Sequence, residues 1–214
     1  MSLILIHGLG QSASSWDKTL GFMKAESPPH CPDLFSLTDY ATLDYKSLYA
    51  AFSAYVNEKA ENAQTEKLDL YGLCLGGILA MNYYLDNPEK VRSLTLIAVQ
   101  YKTPKTMMKV QNFIFRLLSD KSFKQIGLTK KSAISLCSSM LDLDLTDRLK
   151  DIKCPTLVLC GKKDSINLKV SRELANLLPD AEFLAIADAA HEVTTDTPEK
   201  LAEIFCKFYE KQQN

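Results

Sequence analysis

Leu70-Tyr71-Gly72-Leu73-Cys74-Leu75-Gly76-Gly77 reads Gly-x-Cys-x-Gly-Gly, after an apolar strand-like stretch and before a helix-like one. A strand that turns sharply into a helix pushes one side chain out at the tip, and glycines two before and two after let the backbones pass closely. That is the layout of a nucleophile elbow, with a thiol where a hydroxyl usually sits. A thiol there lies near the positive end of a helix, which favours thiolate over thiol.

Working outward, the flanking segments alternate between strand and helix. Leu3 to Ile6 is a short continuous apolar run ended by His7-Gly8, which reads as a buried strand. Ser14 is placed to cap a helix over Trp16 to Lys24. A weak second strand is expected near Ser27 to Cys31, at a sheet edge because Pro28 and Pro29 remove ladder donors. Tyr45 to Asn62 carries Leu48, Ala51, Phe52, Tyr55 and Val56 at helical spacing. Lys67 to Tyr71 is the strand before the elbow, and Cys74 to Leu85 the helix after it, stopped by Asn87-Pro88. Further strands are read at Ser93 to Val99, Pro155 to Cys160 and Glu182 to Ile186. Helices follow at Leu168 to Leu177 and Pro198 to Lys211.

Strands alternating with helices imply an α/β fold, a mostly parallel sheet of about six strands with helices on both faces. The expected order is second, first, third, fourth, fifth, sixth. Between Val99 and Lys153 the alternation stops. Met107, Val110, Phe113, Ile114 and Leu117, then Ile134, Leu136, Met140 and Leu141, have helical spacing. The organisation is therefore a core of residues 1–99 and 152–214, with residues 100–151 inserted in the same domain as a helical lid. The polar stretch 119–132, bearing Gly127, reads as a joint between two helical parts of that lid.

Composition narrows the function classes. A chain of 214 residues, 46% apolar and 24% charged, suits one soluble domain with a sizeable core. A net charge of −1 offers no footprint for nucleic acid or an anionic membrane. No apolar run reaches transmembrane length, and the first residues lack the charge and length of a signal peptide, so a cytoplasmic location is expected. Cys31, Cys74, Cys137, Cys154, Cys160 and Cys206 show no CxxC or CxxH pairing, so neither a metal nor another cofactor is expected. His30 and Cys31 alone make a poor metal site. The sequence carries no signal of oligomeric state.

The chain resembles the α/β-hydrolase superfamily through nearly its whole length. The resemblance rests on His7 to Trp16 (HGLGQSASSW), the GLCLGG elbow, the segment Asn87 to Leu94, the CPTLVLCGKKD strand and loop, and the late ADAAHEV loop before a closing helix. Each motif alone is moderately specific; their order and spacing together are very specific. The resemblance implies that Cys74 is the nucleophile, Asp164 the acid and His191 the base, in the chain order that this fold uses. It also implies that the backbone N–H groups of Leu9 and Leu75 form an oxyanion hole, with Gly8 and Gly10 letting that loop approach the substrate. His7 is usually structural in this fold. Asp188 is a weaker rival to Asp164 and reads as a turn residue. Trp16 reads as packing. Met107-Met108 and the Phe113 to Leu118 stripe are candidates to line an acyl pocket, against the commoner role of such stripes in plain packing.

Departures from the family pattern are Cys74 where serine is commoner, Leu73 where a histidine often stands, and Ala190 in place of a glycine before His191. Only Met1 and Ser2 precede the first strand, so the usual leading hairpin is expected to be missing. A thiolate is a good nucleophile and also a good leaving group, so it is better matched to thioesters and activated or lactone-like esters than to amides. Dienelactone hydrolases are similar in using a cysteine on such a scaffold. The expected function is hydrolysis of a small to medium acyl ester or thioester through an acyl-cysteine. Acyl transfer through the same intermediate, or ligand binding by a non-catalytic elbow, remain open.

Overall fold

The computed structural model describes residues 3–23, 28–39, 43–62, 67–124 and 127–213. Five parallel strands form one sheet in the order β1 (Leu3–Ile6), β2 (Leu68–Leu73), β3 (Val91–Ile97), β4 (Thr156–Gly161) and β5 (Ala181–Ile186). β1 to β4 are buried along almost their whole length, as a parallel sheet covered on both faces requires. Alternate side chains serve the two faces. Ile4, Ile6, Leu70, Leu94, Leu96 and Val158 join one core with α2 (Tyr45–Asn62), α3 (Leu75–Asp86) and α7 (Ser165–Leu177). Leu3, Leu5, Tyr71, Leu73, Leu157 and Leu159 join the other with Trp16 and α9 (Pro198–Gln213), where Phe205 packs against both Trp16 and Tyr71.

The sixth strand expected at Ser27 to Cys31 does not form. Only His30 pairs, in a single parallel bridge to Ile4, with its N–H donating to Leu3 O at 2.9 Å and its carbonyl accepting from Leu5 N–H at 2.8 Å. Pro28 and Pro29 have no N–H to extend the ladder, and Ser27 lies outside the described residues. The bridge nevertheless sits beside β1, the edge that the expected order assigns it. Ser14 does not cap a helix either. It lies within a 3₁₀ turn, Ala13–Trp16, and its Oγ is hydrogen-bonded to Ser12; the helix that follows, α1, spans Asp17–Phe22. Lys24 lies outside the described residues.

Between β3 and β4 the chain is helical: α4 (Lys105–Leu117), α5 (Asp120–Lys124), α6 (Lys130–Ser139) and a 3₁₀ turn, Thr146–Asp151. The polar stretch 119–132 contains α5, Gly127 at φ 70° and Thr129, whose hydroxyl and Ser132 form a capping box that starts α6. α8 (Val193–Asp196) is a single turn before α9.

β2 runs two residues further than its apolar pattern indicated, so that it ends on Leu73, next to Cys74. The crossing of β2 and α3 depends on Gly72 and Gly76. A Cβ on Gly72 would land on the Gly76–Gly77 peptide, and one on Gly76 would meet the His7 carbonyl oxygen at 2.8 Å as well as the Ile6 carbonyl. These obstacles are backbone and cannot rotate away. Gly72→Ala is expected to destabilise the protein by about 3 kcal/mol or more, beyond ordinary overpacking. Urea unfolding measures it, and a loss below about 1 kcal/mol would show that the helix can shift to make room.

Candidate active site

Cys74 stands at the tip between β2 and α3 with φ 51° and ψ −113°. A left-handed φ on a side-chain-bearing residue costs about 1–3 kcal/mol and persists only where the surroundings impose it. They do so here: Cys74 N–H donates to Ile97 O at 2.9 Å, and Cys74 O accepts from the N–H groups of Gly77 at 3.1 Å and Ile78 at 3.2 Å. The backbone is thereby held so that the thiol leaves the sheet and faces a cavity of about 310 Å³.

His191 borders the same cavity, in the loop after β5. Its Nδ1 lies 2.8 Å from Asp164 Oδ2, and the Cys74 sulfur stands beside its ring. The sulfur is the largest influence that raises the His191 pKa, to about 9, with Asp164 adding to it and burial opposing. At neutral pH the ring is therefore an imidazolium. The loop is braced by Ala190 N–H, which donates to Asp196 Oδ2 at 2.7 Å.

Asp164 is buried, at 8% exposure, and caps α7 by accepting Asn167 N–H at Oδ1 (3.1 Å). Burial alone would raise its pKa. The Asn167 side chain and His191 outweigh that and hold the carboxyl below its ordinary value. Helix capping and histidine orientation are thus done by the two oxygens of one carboxylate.

Asn167 and Gln100 were not signalled as site residues by the sequence reading. Asn167 Nδ2 donates to Asp164 Oδ2 at 2.8 Å and stands 3.2 Å from His191 Nδ1, while Gln100 Nε2 donates to Asn167 Oδ1 at 2.6 Å. An amide NH₂ has nothing to give a ring nitrogen that already carries a proton, so its hydrogen bond goes to the carboxylate. A clue to Asn167 was its place three residues after the capping aspartate, where a polar side chain often returns a hydrogen bond. Gln100 had no such local signal.

Leu9 and Leu75 both border the cavity. Leu75 is the first residue of α3, where an N–H has no intrahelical acceptor. The Leu9 loop is shaped by Gly8 N–H, which donates to Gln11 Oε1 at 3.1 Å, and by Gly10 at φ 89°. A Cβ on Gly8 would meet Leu73 Cδ2 at 2.9 Å, so its small size fits it against the end of β2 rather than against a ligand.

His7 is wholly buried and braces the same loop. Its Nδ1–H donates to Gly8 O at 2.9 Å and its Nε2 accepts from Leu34 N–H at 3.0 Å, while burial lowers its pKa. Asp188 is a turn residue at φ 65°, exposed, and paired with Lys163 at 3.4 Å. Trp16 is fully buried. Among the described residues no group of three or more His, Cys, Asp or Glu side chains is arranged to hold a metal ion. None of the six cysteines is in a disulfide, and burial pushes the pKa of Cys137, which also borders the cavity, up to about 12.

Of the helical stripe, Met108 borders the Cys74 cavity, with Met140 from the C-cap of α6. Phe113, Ile114 and Leu117 instead point to solvent, at 61%, 48% and 72% exposure. Helical spacing indicated one apolar face, and the packing of α4 against α6 turns part of it outward. The side chains of Met107 and Val110 lie outside the described residues.

The model of the alpha/beta hydrolase family matches residues 3–204. The chain belongs to that family. This α/β hydrolase is 25% identical over 225 aligned residues to the pimeloyl-[acyl-carrier protein] methyl ester esterase of Vibrio parahaemolyticus, an alignment covering 88% of this chain and 86% of the relative. Among solved structures it is similar to a thermophilic esterase from Thermogutta terrifontis, with a TM-score of 0.79, 20% identity, and 99% and 90% of the two chains covered. MenH from S. aureus aligns with a TM-score of 0.74, 16% identity, and 99% and 94% coverage. Among the described residues no helix of this hydrolase is long and apolar enough to cross a membrane.

Proposed function

We propose that this α/β hydrolase is an esterase or thioesterase for small to medium acyl substrates, working through an acyl-cysteine on Cys74 with His191 as base and Asp164 as its orienting acid. The observation that carries the reading is the strained Cys74 side chain, whose sulfur stands beside a histidine held at Nδ1 by a buried carboxylate. Structural strain and a perturbed histidine at the mouth of one cavity are what a nucleophile site needs and what a packing cysteine does not. The esterase relative supports an ester substrate.

In this reading the Cys74 thiol passes its proton to His191 and the sulfur attacks the carbonyl carbon. A C–S bond forms, and the carbonyl π electrons move to oxygen, where the Leu9 and Leu75 N–H groups receive them. Such donors are worth about 3 kcal/mol each. The intermediate collapses by breaking the bond to the alcohol or thiol, which takes its proton from His191 Nε2. A water then gives a proton to the now neutral His191 and attacks the thioester, and the Cys74 sulfur leaves with the electron pair. Asp164 holds Nδ1–H throughout, so that Nε2 is the nitrogen facing the reaction.

Brief exposure to an activated short-chain acyl ester at neutral pH, acid quench, intact mass and peptide mapping form the test. An acyl adduct confined to Cys74 that decays with time is expected. Its absence, with Cys74 reacting no faster than a free thiol, would leave a ligand-binding elbow without turnover. Faster decay on adding an amine, alcohol or thiol, with a new acylated product, would redirect the reading to acyl transfer.

A further inference from the structure

On α4 and at its C-cap, Met108, Gln111, Phe115 and Leu118 follow one another at spacings of three, four and three residues, which puts them along one side of the helix. Met108 and Gln111 border the cavity over Cys74. Gln111, Phe115 and Leu118 border a second cavity of about 340 Å³. Leu9 and Gln111 belong to both, so the two cavities meet at this pair. The row advances about 15 Å along the helix, away from Cys74.

The two cavities differ in chemistry. The first has Gln100, Thr103, Asn167 and His191 on its walls. In the second, Gln111 is the sole polar side chain among the described residues that border it; the others are Leu9, Gly10, Phe115, Leu118, Phe123 and Ala133. Phe115 meets Phe123 edge to face, with centroids 5.3 Å apart, which makes a firm apolar wall. A Cβ placed on Gly10 would meet no atom within 4 Å, so that wall leaves room.

We infer that the second cavity is a chamber for the aliphatic tail of a linear medium-chain acyl group. With the carbonyl over Cys74, the tail passes between Leu9 and Gln111 and lies against Phe115, Leu118, Phe123 and Ala133. This deepens the acyl-cysteine reading and rests on it. The substrate class is then esters or thioesters of unbranched fatty acids rather than of acetate.

The test measures kcat/KM for esters of one activated alcohol with acyl groups from acetyl to decanoyl. A rise of up to about fourfold per added methylene is expected where the tail enters the chamber. Ala133→Phe fills the chamber. Leu118→Glu puts a charge at its partly exposed end, where folding is not at stake. Each is expected to lower the decanoyl-to-acetyl ratio of kcat/KM by about tenfold. A flat series in the parent protein, or a ratio that moves less than about threefold in both variants, overturns the inference. So does a length preference that follows the alcohol instead of the acyl group. Failure of the acyl-cysteine reading is seen separately, as no acyl group of any length on Cys74. The chamber is then judged by calorimetric binding of decanoate, which both variants should weaken; no binding to the parent, or equal binding to all three, overturns it.

Discussion

Cys74→Ala is expected to lose turnover by at least about 10⁴-fold, the scale on which removal of a nucleophile acts in a Ser- or Cys-type triad. The fold should remain, because alanine keeps the Cβ at the left-handed position and the three backbone hydrogen bonds that hold it there. A circular dichroism spectrum and cooperative melting like the parent's would show this. The same variant tests the electrostatics. The sulfur is the leading support of the charged His191 ring, so its removal should bring the ring's midpoint down from about 9 toward 6.5, read from the imidazole proton shifts. The linkage sign follows. A histidine whose pKa is raised by folding adds stability that is fully present below 6.5 and is lost as pH rises through about 9. The parent should therefore lose melting temperature between pH 7 and 9.5, and the variant should lose less. Substantial residual turnover would remove Cys74 from the chemistry, and an unmoved midpoint would show that Asp164 alone sustains the ring charge.

Asp164→Asn should cost about 10⁴-fold in kcat at neutral pH with little loss of stability. Asparagine keeps an oxygen to accept Asn167 N–H, and the two residues cap helices about equally well, so α7 retains its start. What changes is the partner of His191. An amide NH₂ facing Nδ1 donates where the carboxylate accepted, so the ring holds its proton on Nε2 and presents no lone pair to the Cys74 side. Asp164→Ala is the less informative change, since it removes the cap as well, worth about 1 kcal/mol. A kcat within about tenfold of the parent in Asp164→Asn would mean that Asp164 is chiefly a helix cap. A stopped-flow burst on an activated acyl ester would locate the loss, in acylation or in release.

Much of this architecture is legible locally. The run from Leu70 to Gly77 announces a strand, a turn and a helix because apolar period and glycine placement are properties of a few adjacent residues. The same holds for β1, β3, β4 and α2, whose limits fall within two residues of their patterns. The pattern failed where a single missing donor decides. Pro28 and Pro29 reduce an expected strand to one bridge, and the 3₁₀ turn at Ala13–Trp16 takes the place of an early helix start. Cys74, Asp164 and His191 stand out as candidates from motif order, since each lies past a strand end and the parallel strands share one edge.

Other features depend on residues far apart in the chain. Gln100 and Asn167 meet only because the segment after β3 and the start of α7 come together in the fold, and nothing within either segment marks the pair. The apolar spacing of α4 is plain, but which of its residues face Cys74, which face the second cavity and which face solvent follows from how α4 lies on α6. Identity and periodicity of side chains specify the elements and the tight turn at Cys74, because those are settled by steric and hydrogen-bonding demands within a few residues. The shared carboxylate of Asp164, the charge on His191 and the division of the space over Cys74 into two cavities arise from packing, where burial and long-range proximity set the energies.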